Sequence, residues 1–325
     1  MTKLIIQIPC YNEEKTLGTT LGELPRELPG IDVIEWLIID DGSTDRTVEV
    51  AREHSVDHVV SLPQNQGLAK GFMAGLHACL RAGADIIVNT DADNQYNAQD
   101  IGKLVAPILD GRADIVVGAR PIADIEHFSW LKKRLQRLGS WAVRMTSGTD
   151  IDDAPSGFRA IRREAALRLN VFNDYTYTLE SIIQAGQKGM TVVSVPVRVN
   201  GDLRPSRLVK SIRAYVQRSM LIILRIFMIY RPLRFFLILG TIPFSLGFLL
   251  GVRWMVYFWF FPDPDRARVP SLVLAAILLL SGFQLWILGF IADLISVNRM
   301  LLEKIQYRLR RSDLLTGDDD GLEEP

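Results

Sequence analysis

Over roughly the first 200 positions, short apolar, β-rich runs alternate with stretches at helical spacing. Leu4–Ile8, Val33–Ile39, His58–Leu62, Asp85–Val88 and Asp114–Val117 read as strands. Between the first two, Leu17, Leu21 and Leu24 fall on one helical face before Pro25 interrupts. Ser43 predicts an N-cap for a helix from Thr44, with Asp45 in its first turn, where a negative charge suits the helix dipole. Gly67 to Arg81 predicts a helix packed closely through small residues, and Trp130 to Met145 another that carries Lys132, Lys133, Arg134 and Arg137. Met190–Val199, Val-rich with an internal Pro196, reads as a late edge strand, since proline cannot donate to a ladder. Strands alternating with helices predict βα units and a largely parallel sheet, hence an α/β domain over residues 1–204.

The pattern then changes. Arg207 to Tyr230 can be written as one helix with Arg207, Arg218 and Arg225 along a face, which predicts a basic amphipathic juxtamembrane helix over 205–232. Phe235 to Val252 is uncharged over 18 residues and Leu272 to Ala292 over 21. Both are long enough to cross a bilayer. An aromatic cluster from Trp254 to Phe261 and a Pro262-Asp263-Pro264-Asp265 turn lie between them. These features predict a transmembrane hairpin over 233–298, with spans at about 233–257 and 270–297, and a basic then acidic tail over 299–325. Arg225, Arg231 and Arg234 precede the hairpin; Arg299, Lys304, Arg308, Arg310 and Arg311 follow it. In the turn, Arg266 and Arg268 are balanced by Asp263 and Asp265. The basic excess places the α/β domain and both termini in the cytoplasm, as an integral protein of the plasma membrane. Leu4–Ile8 is too short for a signal-peptide core and Pro9 follows at once, which agrees with a cytosolic N-terminal domain. The spacing of Gly240, Gly247 and Gly251 would permit helix packing in the bilayer, and with it a homo-oligomer.

Composition excludes more than it assigns. Lys and Arg number 37, as do Asp and Glu, so no net charge points to nucleic acid as a partner. Cys10 and Cys79 form no CxxC pair and the four histidines show no ligand spacing, which argues against a zinc site or a disulfide framework.

The chemistry centres on Asn89-Thr90-Asp91-Ala92-Asp93-Asn94-Gln95-Tyr96, directly after the apolar run that ends at Val88. Two carboxylates at i and i+2 of a strand point to one side. At the carboxyl end of a strand in an α/β sheet they sit where such sheets bind ligands. They suit a hard divalent cation, which takes one or two carboxylates and completes its shell with phosphate oxygens and water. Asp40-Asp41-Gly42-Ser43-Thr44-Asp45 places acids after the second strand, where they can accept hydrogen bonds from a ribose or base, or merely cap a turn. Pro9-Cys10-Tyr11-Asn12-Glu13-Glu14 sets a turn and polar groups after the first.

These stretches, with Asn65-Gln66-Gly67, Gly118-Ala119-Arg120 and Asp153-Ala154-Pro155-Ser156-Gly157-Phe158-Arg159, occur in an order that resembles the family 2 glycosyltransferases over about residues 3 to 215. The polyprenyl-phosphate hexosyltransferases are the most similar group. The resemblance implies a GT-A fold, Rossmann-like with a mostly parallel sheet. It also implies inverting transfer of a hexose from a nucleotide sugar to a polyprenyl phosphate, undecaprenyl or dolichyl, at the cytoplasmic membrane face. UDP-glucose is the first donor expected and GDP-mannose the second. By the same resemblance Pro9, Tyr11, Glu13 and one or both of Asp40 and Asp41 hold the nucleoside, Ala92 lies against the nucleotide, and Arg120 meets phosphate. Asp91, Asp93 and Gln95 ligate Mg²⁺ or Mn²⁺, and Asp153 matches the catalytic-base position. Lys133, Arg134, Arg137, Arg204, Arg207 and Lys210 are the basic residues expected at the acceptor phosphate. Where the family often has Ser-Lys-Leu this chain reads Ser206-Arg207-Leu208, which keeps a cation but replaces a point charge by a fork. Two other readings stand beside this one. A processive polysaccharide synthase shares the early motifs, although its Gln-x-x-Arg-Trp signature is absent. A catalytically silent nucleotide-sugar sensor or membrane scaffold would not require Asp91, Asp93 and Asp153 to be intact.

Overall fold

A seven-stranded sheet carries the first part of the chain, in the order β3-β2-β1-β4-β6-β5-β7. The structure, a computed structural model, describes residues 1–121, 140–141, 143–171, 177–201, 217, 220–221, 224–225, 227–260 and 269–316. The strands are β1 (Lys3–Cys10), β2 (Val33–Asp40), β3 (His58–Ser61), β4 (Ile86–Asn89), β5 (Ile115–Ala119), β6 (Arg159–Arg162) and β7 (Val192–Pro196). All neighbours pair in parallel except β6, which is antiparallel to both β4 and β5. β6 escapes the sequence pattern because it is four residues long with Arg at each end, yet Arg159 is buried. β7 lies at the sheet edge and Pro196 ends it, as the proline predicts.

The helices α1 (Leu17–Glu23), α2 (Thr47–Glu53), α3 (Leu68–Arg81), α4 (Ile101–Leu109), α5 (Arg163–Arg168) and α6 (Tyr177–Gln187) cover the sheet. Leu4, Ile5, Ile6 and Ile8 of β1 are all fully buried, as in a strand covered on both faces. Leu17 and Leu21 of α1 and Leu104, Val105 and Ile108 of α4 join Leu4, Ile6 and Ile8 in one core cluster. Burying each such side chain contributes roughly 1.5–3 kcal/mol. On α3, a Cβ at Gly75 would lie 2.7 Å from Ile39 Cδ1 and 2.5 Å from Gln7 Oε1, so only glycine lets this helix approach β1 and β2 so closely.

The helix expected from Thr44 begins at Thr47, and Ser43 does not cap it. Ser43 Oγ accepts the N–H of Asn12 at 2.9 Å, and Asp45 accepts the N–H of Glu14 at 3.1 Å and of Thr47 at 3.0 Å. These side chains lace the loop after β2 to the loop after β1.

A second clamp joins the end of β7 to residues 94–100. Asp100, fully buried, accepts hydrogen bonds from the Arg198 backbone N–H (2.7 Å) and Nη2 (2.8 Å) and from Lys103 Nζ (2.9 Å). Burial raises its carboxyl, but the Arg198 and Lys103 hydrogen bonds outweigh it and hold the group down at about 2. A carboxyl depressed in the folded state stabilises the fold above its unfolded value of about 3.9, and this is lost as pH falls through the folded value. Asp100→Asn is therefore expected to cost about 2 kcal/mol at pH 7 and little at pH 2, where denaturant melts of the two proteins should converge.

Two compact units are discernible: Met1–Met220 with Glu303–Pro325, and Leu221–Leu302. Within the second, α7 (Pro232–Phe260) and the first part of α8 (Val269–Thr316) run antiparallel. A Cβ at Gly240 would lie 2.8 Å from the Gly282 carbonyl oxygen, and one at Gly247 would lie 2.9 Å from that of Ala275. Two of the three spaced glycines thus serve packing inside the hairpin, while Gly251 meets nothing within 4 Å. Both helices are long and apolar enough to cross a membrane, each holding an 18-residue stretch of mean hydropathy 2.2. α8 continues as helix beyond the apolar span, and its later residues belong to the first unit. There Glu303, 5 % exposed, pairs with Lys188 at 2.9 Å, Tyr307 donates to Glu164 at 3.2 Å, and Arg310 donates to the Leu169 carbonyl at 2.9 Å. Lys188→Glu is expected to lower stability by about 3 kcal/mol, the scale for breaking a buried pair. Adding Glu303→Lys should return most of that in a thermal melt; equal losses in single and double variants would show that the pair does not form.

Of the helix expected over Trp130 to Met145, residues 140–141 and 143–147 are helical and the rest lies outside the described residues. In the basic helix expected from Arg207 to Tyr230, residues 217, 220–221, 224–225 and 227–230 are helical. Arg207 and Arg218 lie outside the described residues, as does the turn at Pro262–Asp265.

Candidate functional site

The ends of β1, β2, β4 and β5 gather acids and one arginine at one edge of the sheet. β4 stops at Asn89, so the turn containing Asp91 and Asp93 is not strand and the period-two argument for their shared side does not hold as stated. The alternation survives for another reason. Asp91, Asp93 and Gln95 are half-buried while Ala92, Asn94 and Tyr96 between them are buried. Thr20 Oγ1 donates to the Ala92 carbonyl at 3.0 Å, Asn94 takes the left-handed conformation (φ 55°), and Asn200 N–H donates to the Gln95 carbonyl at 2.9 Å. Asn tolerates that φ better than most residues. Tyr96 then bridges to Val199, and the three residues expected to ligate metal keep partial exposure.

The nucleotide-pocket residues divide by exposure. Tyr11 is exposed, whereas Glu13, Asp40 and Asp41 are buried. Asp40 accepts the Ser43 N–H at 2.9 Å, and Glu13 accepts the Thr16 hydroxyl at 2.9 Å. Both Asp41 oxygens receive backbone N–H groups, from Gln66 at 2.7 Å and Gly67 at 2.9 Å, which fixes the Asn65-Gln66-Gly67 loop beside the second strand's end. Gly42, at φ 72°, permits this contact, because a Cβ there would lie 2.7 Å from the Gln64 carbonyl carbon. Pro9 sits in β1 opposite Ile39, and Ala92 is buried in its turn. Burial, and then the charges of Glu13, Asp40, Asp45 and Asp91, pushes the Cys10 thiol well above its ordinary value. Acids from three strand ends thus converge on one point, and the thiol there is kept protonated.

Arg120 and Asp153 form one unit. Arg120 Nε and Nη2 donate to the two carboxylate oxygens at 2.6 and 3.1 Å, and its backbone N–H lies 3.3 Å from Oδ2. Asp153 is completely buried and the Arg120 side chain is 12 % exposed. Burial alone would lower the guanidinium, but Tyr96, Asp153 and Asp91 outweigh it and keep it above its ordinary value. The loop that carries Asp153 is stapled from behind by Arg159, a residue buried in β6. Arg159 donates to the carbonyls of Ser156 (2.8 Å) and Ala154 (2.9 Å). The motif that contains Arg159 gives no local sign of this work, because β6 itself is not legible in the sequence pattern. The buried amides Gln7 and Asn89 were also missed. Each is a polar residue in an otherwise apolar strand run, and such groups need partners.

Among the described residues no cluster of three or more His, Cys, Asp or Glu side chains could hold a metal on its own. Two half-buried carboxylates and an amide fit Mg²⁺ or Mn²⁺ completed by phosphate oxygens and water, and do not fit a structural zinc. Lys133, Arg134, Arg137, Arg204, Arg207 and Lys210 lie outside the described residues.

Comparison with known proteins bears on the family and the fold. The model of the family described as Glycosyl transferase family 2 matches residues 5–169. The polyprenol monophosphomannose synthase of Mycolicibacterium smegmatis is 27% identical over 60% of this chain and 76% of its own length. The UDP-N-acetylglucosamine–dolichyl-phosphate N-acetylglucosaminyltransferase of Methanococcus voltae is 30% identical over 59% of this chain and 83% of its own. In structure, glucosyl-3-phosphoglycerate synthase from Mycobacterium tuberculosis, in complex with Mn²⁺, uridine-diphosphate and phosphoglyceric acid, superposes with a TM-score of 0.55 at 20% identity, covering 70% of this chain and 78% of that one. The sheet and the helices around it therefore have the GT-A architecture, and the chain belongs to glycosyl transferase family 2.

Proposed function

We propose that this protein transfers a hexose from a nucleotide sugar to a polyprenyl phosphate at a membrane surface, with inversion at the anomeric carbon. The observation that carries the reading is the turn after β4, with Asp91, Asp93 and Gln95 half-buried and the Asp91 charge acting on a guanidinium held by Asp153. Asp91, Asp93 and Gln95 would hold Mg²⁺ or Mn²⁺, which when bound neutralises charge on the departing nucleoside diphosphate. Arg120 offers donors for a phosphate, and the basic residues 133–137 and 204–210 supply charge to hold the acceptor against its repulsion from the diphosphate. A phosphate monoester has its second pKa at about 6 and is largely ionised at neutral pH, so the attacking oxygen needs little deprotonation. Asp153, enclosed by Arg120, aims that guanidinium. Tyr11, Pro9 and Ala92 border the nucleoside end, with Asp40, Asp41 and Glu13 shaping its loops.

The two relatives named above carry mannose and N-acetylglucosamine in their names, so donor identity varies within a similar scaffold. GDP-mannose and UDP-N-acetylglucosamine therefore belong beside UDP-glucose in any screen. The apolar helices α7 and α8 support membrane association, which suits an acceptor with a long prenyl tail. Incubation of the full chain with each labelled nucleotide sugar, Mg²⁺ or Mn²⁺, and undecaprenyl or dolichyl phosphate tests the proposal. Labelled lipid with inverted configuration supports it. Labelled polymer would favour a processive synthase, binding without transfer a silent scaffold, and a retained configuration would refute direct displacement.

A further inference from the structure

We propose that Asn89 and Gly157 are positioning residues that set the direction of the Asp91 carboxylate; this rests on Asp91 being a cation ligand. Asn89 is fully buried at the end of β4, two positions before Asp91. Its Oδ1 accepts from Gln7 Nε2 at 3.0 Å, which fixes the amide so that Nδ2 donates to the Gly157 carbonyl and to the Tyr177 hydroxyl, each at 2.9 Å. Gly157 is also held from its other side, where its N–H donates to the Tyr96 hydroxyl at 3.1 Å. Pinned at both peptide groups, its α-carbon faces Asp91. A Cβ there would lie 3.1 and 3.2 Å from the two Asp91 oxygens and 3.0 Å from the Tyr177 hydroxyl.

The surfaces meeting at that point differ in how far they can yield. The Tyr177 ring is buried, stacked on Phe72 at 3.9 Å, and held at its hydroxyl by Asn89. Asp91 is half-buried at the start of a turn. A methyl group on residue 157 would therefore press on both groups, and of the two the half-buried carboxylate has the room to turn away. Gly157 is not among the glycines with positive φ, so alanine meets no backbone strain and the substitution reports on space alone. The missing side chain is thus the device: bare backbone backs Asp91, and Asn89 keeps that backbone at contact distance.

Groups that orient a metal ligand typically change metal affinity or activity about 10- to 100-fold when removed. Gly157→Ala is expected to weaken Mn²⁺ binding, followed by EPR with UDP or GDP present, by about that factor, while a thermal melt shows a protein that still folds cooperatively. Asn89→Ala, which releases the Gly157 carbonyl, should weaken it about tenfold. In an Asp91→Asn background Gly157→Ala should cause no further loss, because the ligand it displaces is already disabled; additive losses would overturn the inference. If Asp91→Asn weakens Mn²⁺ binding but Gly157→Ala does not, the positioning role falls and the metal reading stands. If Asp91→Asn leaves Mn²⁺ binding intact, both fall.

Discussion

Asp91→Asn is expected to reduce sugar transfer by about 10³-fold, roughly 4 kcal/mol of lost charge stabilisation, while the protein folds normally. Asparagine has nearly the same volume and keeps one acceptor oxygen, so the turn set by Thr20, Asn94 and Asn200 has no reason to move. What disappears is a negative charge that a divalent cation needs and that also acts on Arg120. If the cation is held as proposed, removing one of the two carboxylates would leave Asp93 and Gln95 to hold it, and the departing diphosphate would lose part of its counter-charge. Asp93→Asn should act in the same direction. Here Asp93 also accepts the Gln95 N–H at 3.2 Å, so its loss loosens the turn as well. Transfer assays with and without excess Mn²⁺, beside a thermal melt, decide the matter. An Asp91→Asn, Asp93→Asn double variant with full activity would remove the cation from the account.

The parallel strands could be read in advance because their runs are mostly apolar at successive positions, as burial on both faces favours, and helix spacing separates them. β6 could not, since its antiparallel place between β4 and β5 depends on a long return of chain that local pattern does not encode. The glycosyltransferase motifs were legible in order because most of them lie at or just past the carboxyl end of a strand. Their internal contacts were not: Asp41 also holds two loop amides and Glu13 a hydroxyl, links that their place in the motifs does not announce. The reason for grouping Asp91 with Asp93 also changed. A turn pinned at Ala92 and Gln95 produces the alternation that a strand was expected to provide. Contacts between residues far apart in the chain, such as Asn89 with Gly157 or Asp100 with Arg198, leave only a faint local mark, a polar residue where the pattern calls for an apolar one.

Asp153→Asn should impair both stability and acceptor use, and the form of the second loss separates two roles for this residue. Breaking a buried ion pair by removing one charge costs about 3–5 kcal/mol, because the remaining charge stays desolvated. Arg120, 12 % exposed, would face an amide whose NH₂ group opposes its own donors. A guanidinium no longer gripped at Nε and Nη2 loses its fixed fork, so the acceptor KM should rise and kcat should fall about 10²-fold. Arg120→Lys should do likewise, since an ammonium keeps the charge but cannot make the paired contact. If Asp153 served instead as a general base, its loss would remove a limb from the pH–rate profile and leave the acceptor KM unchanged. With the acceptor phosphate already ionised, wild type and Asp153→Asn should both keep a limb near the phosphate's second pKa of about 6. A profile that loses that limb in the variant alone would return Asp153 to the role of base.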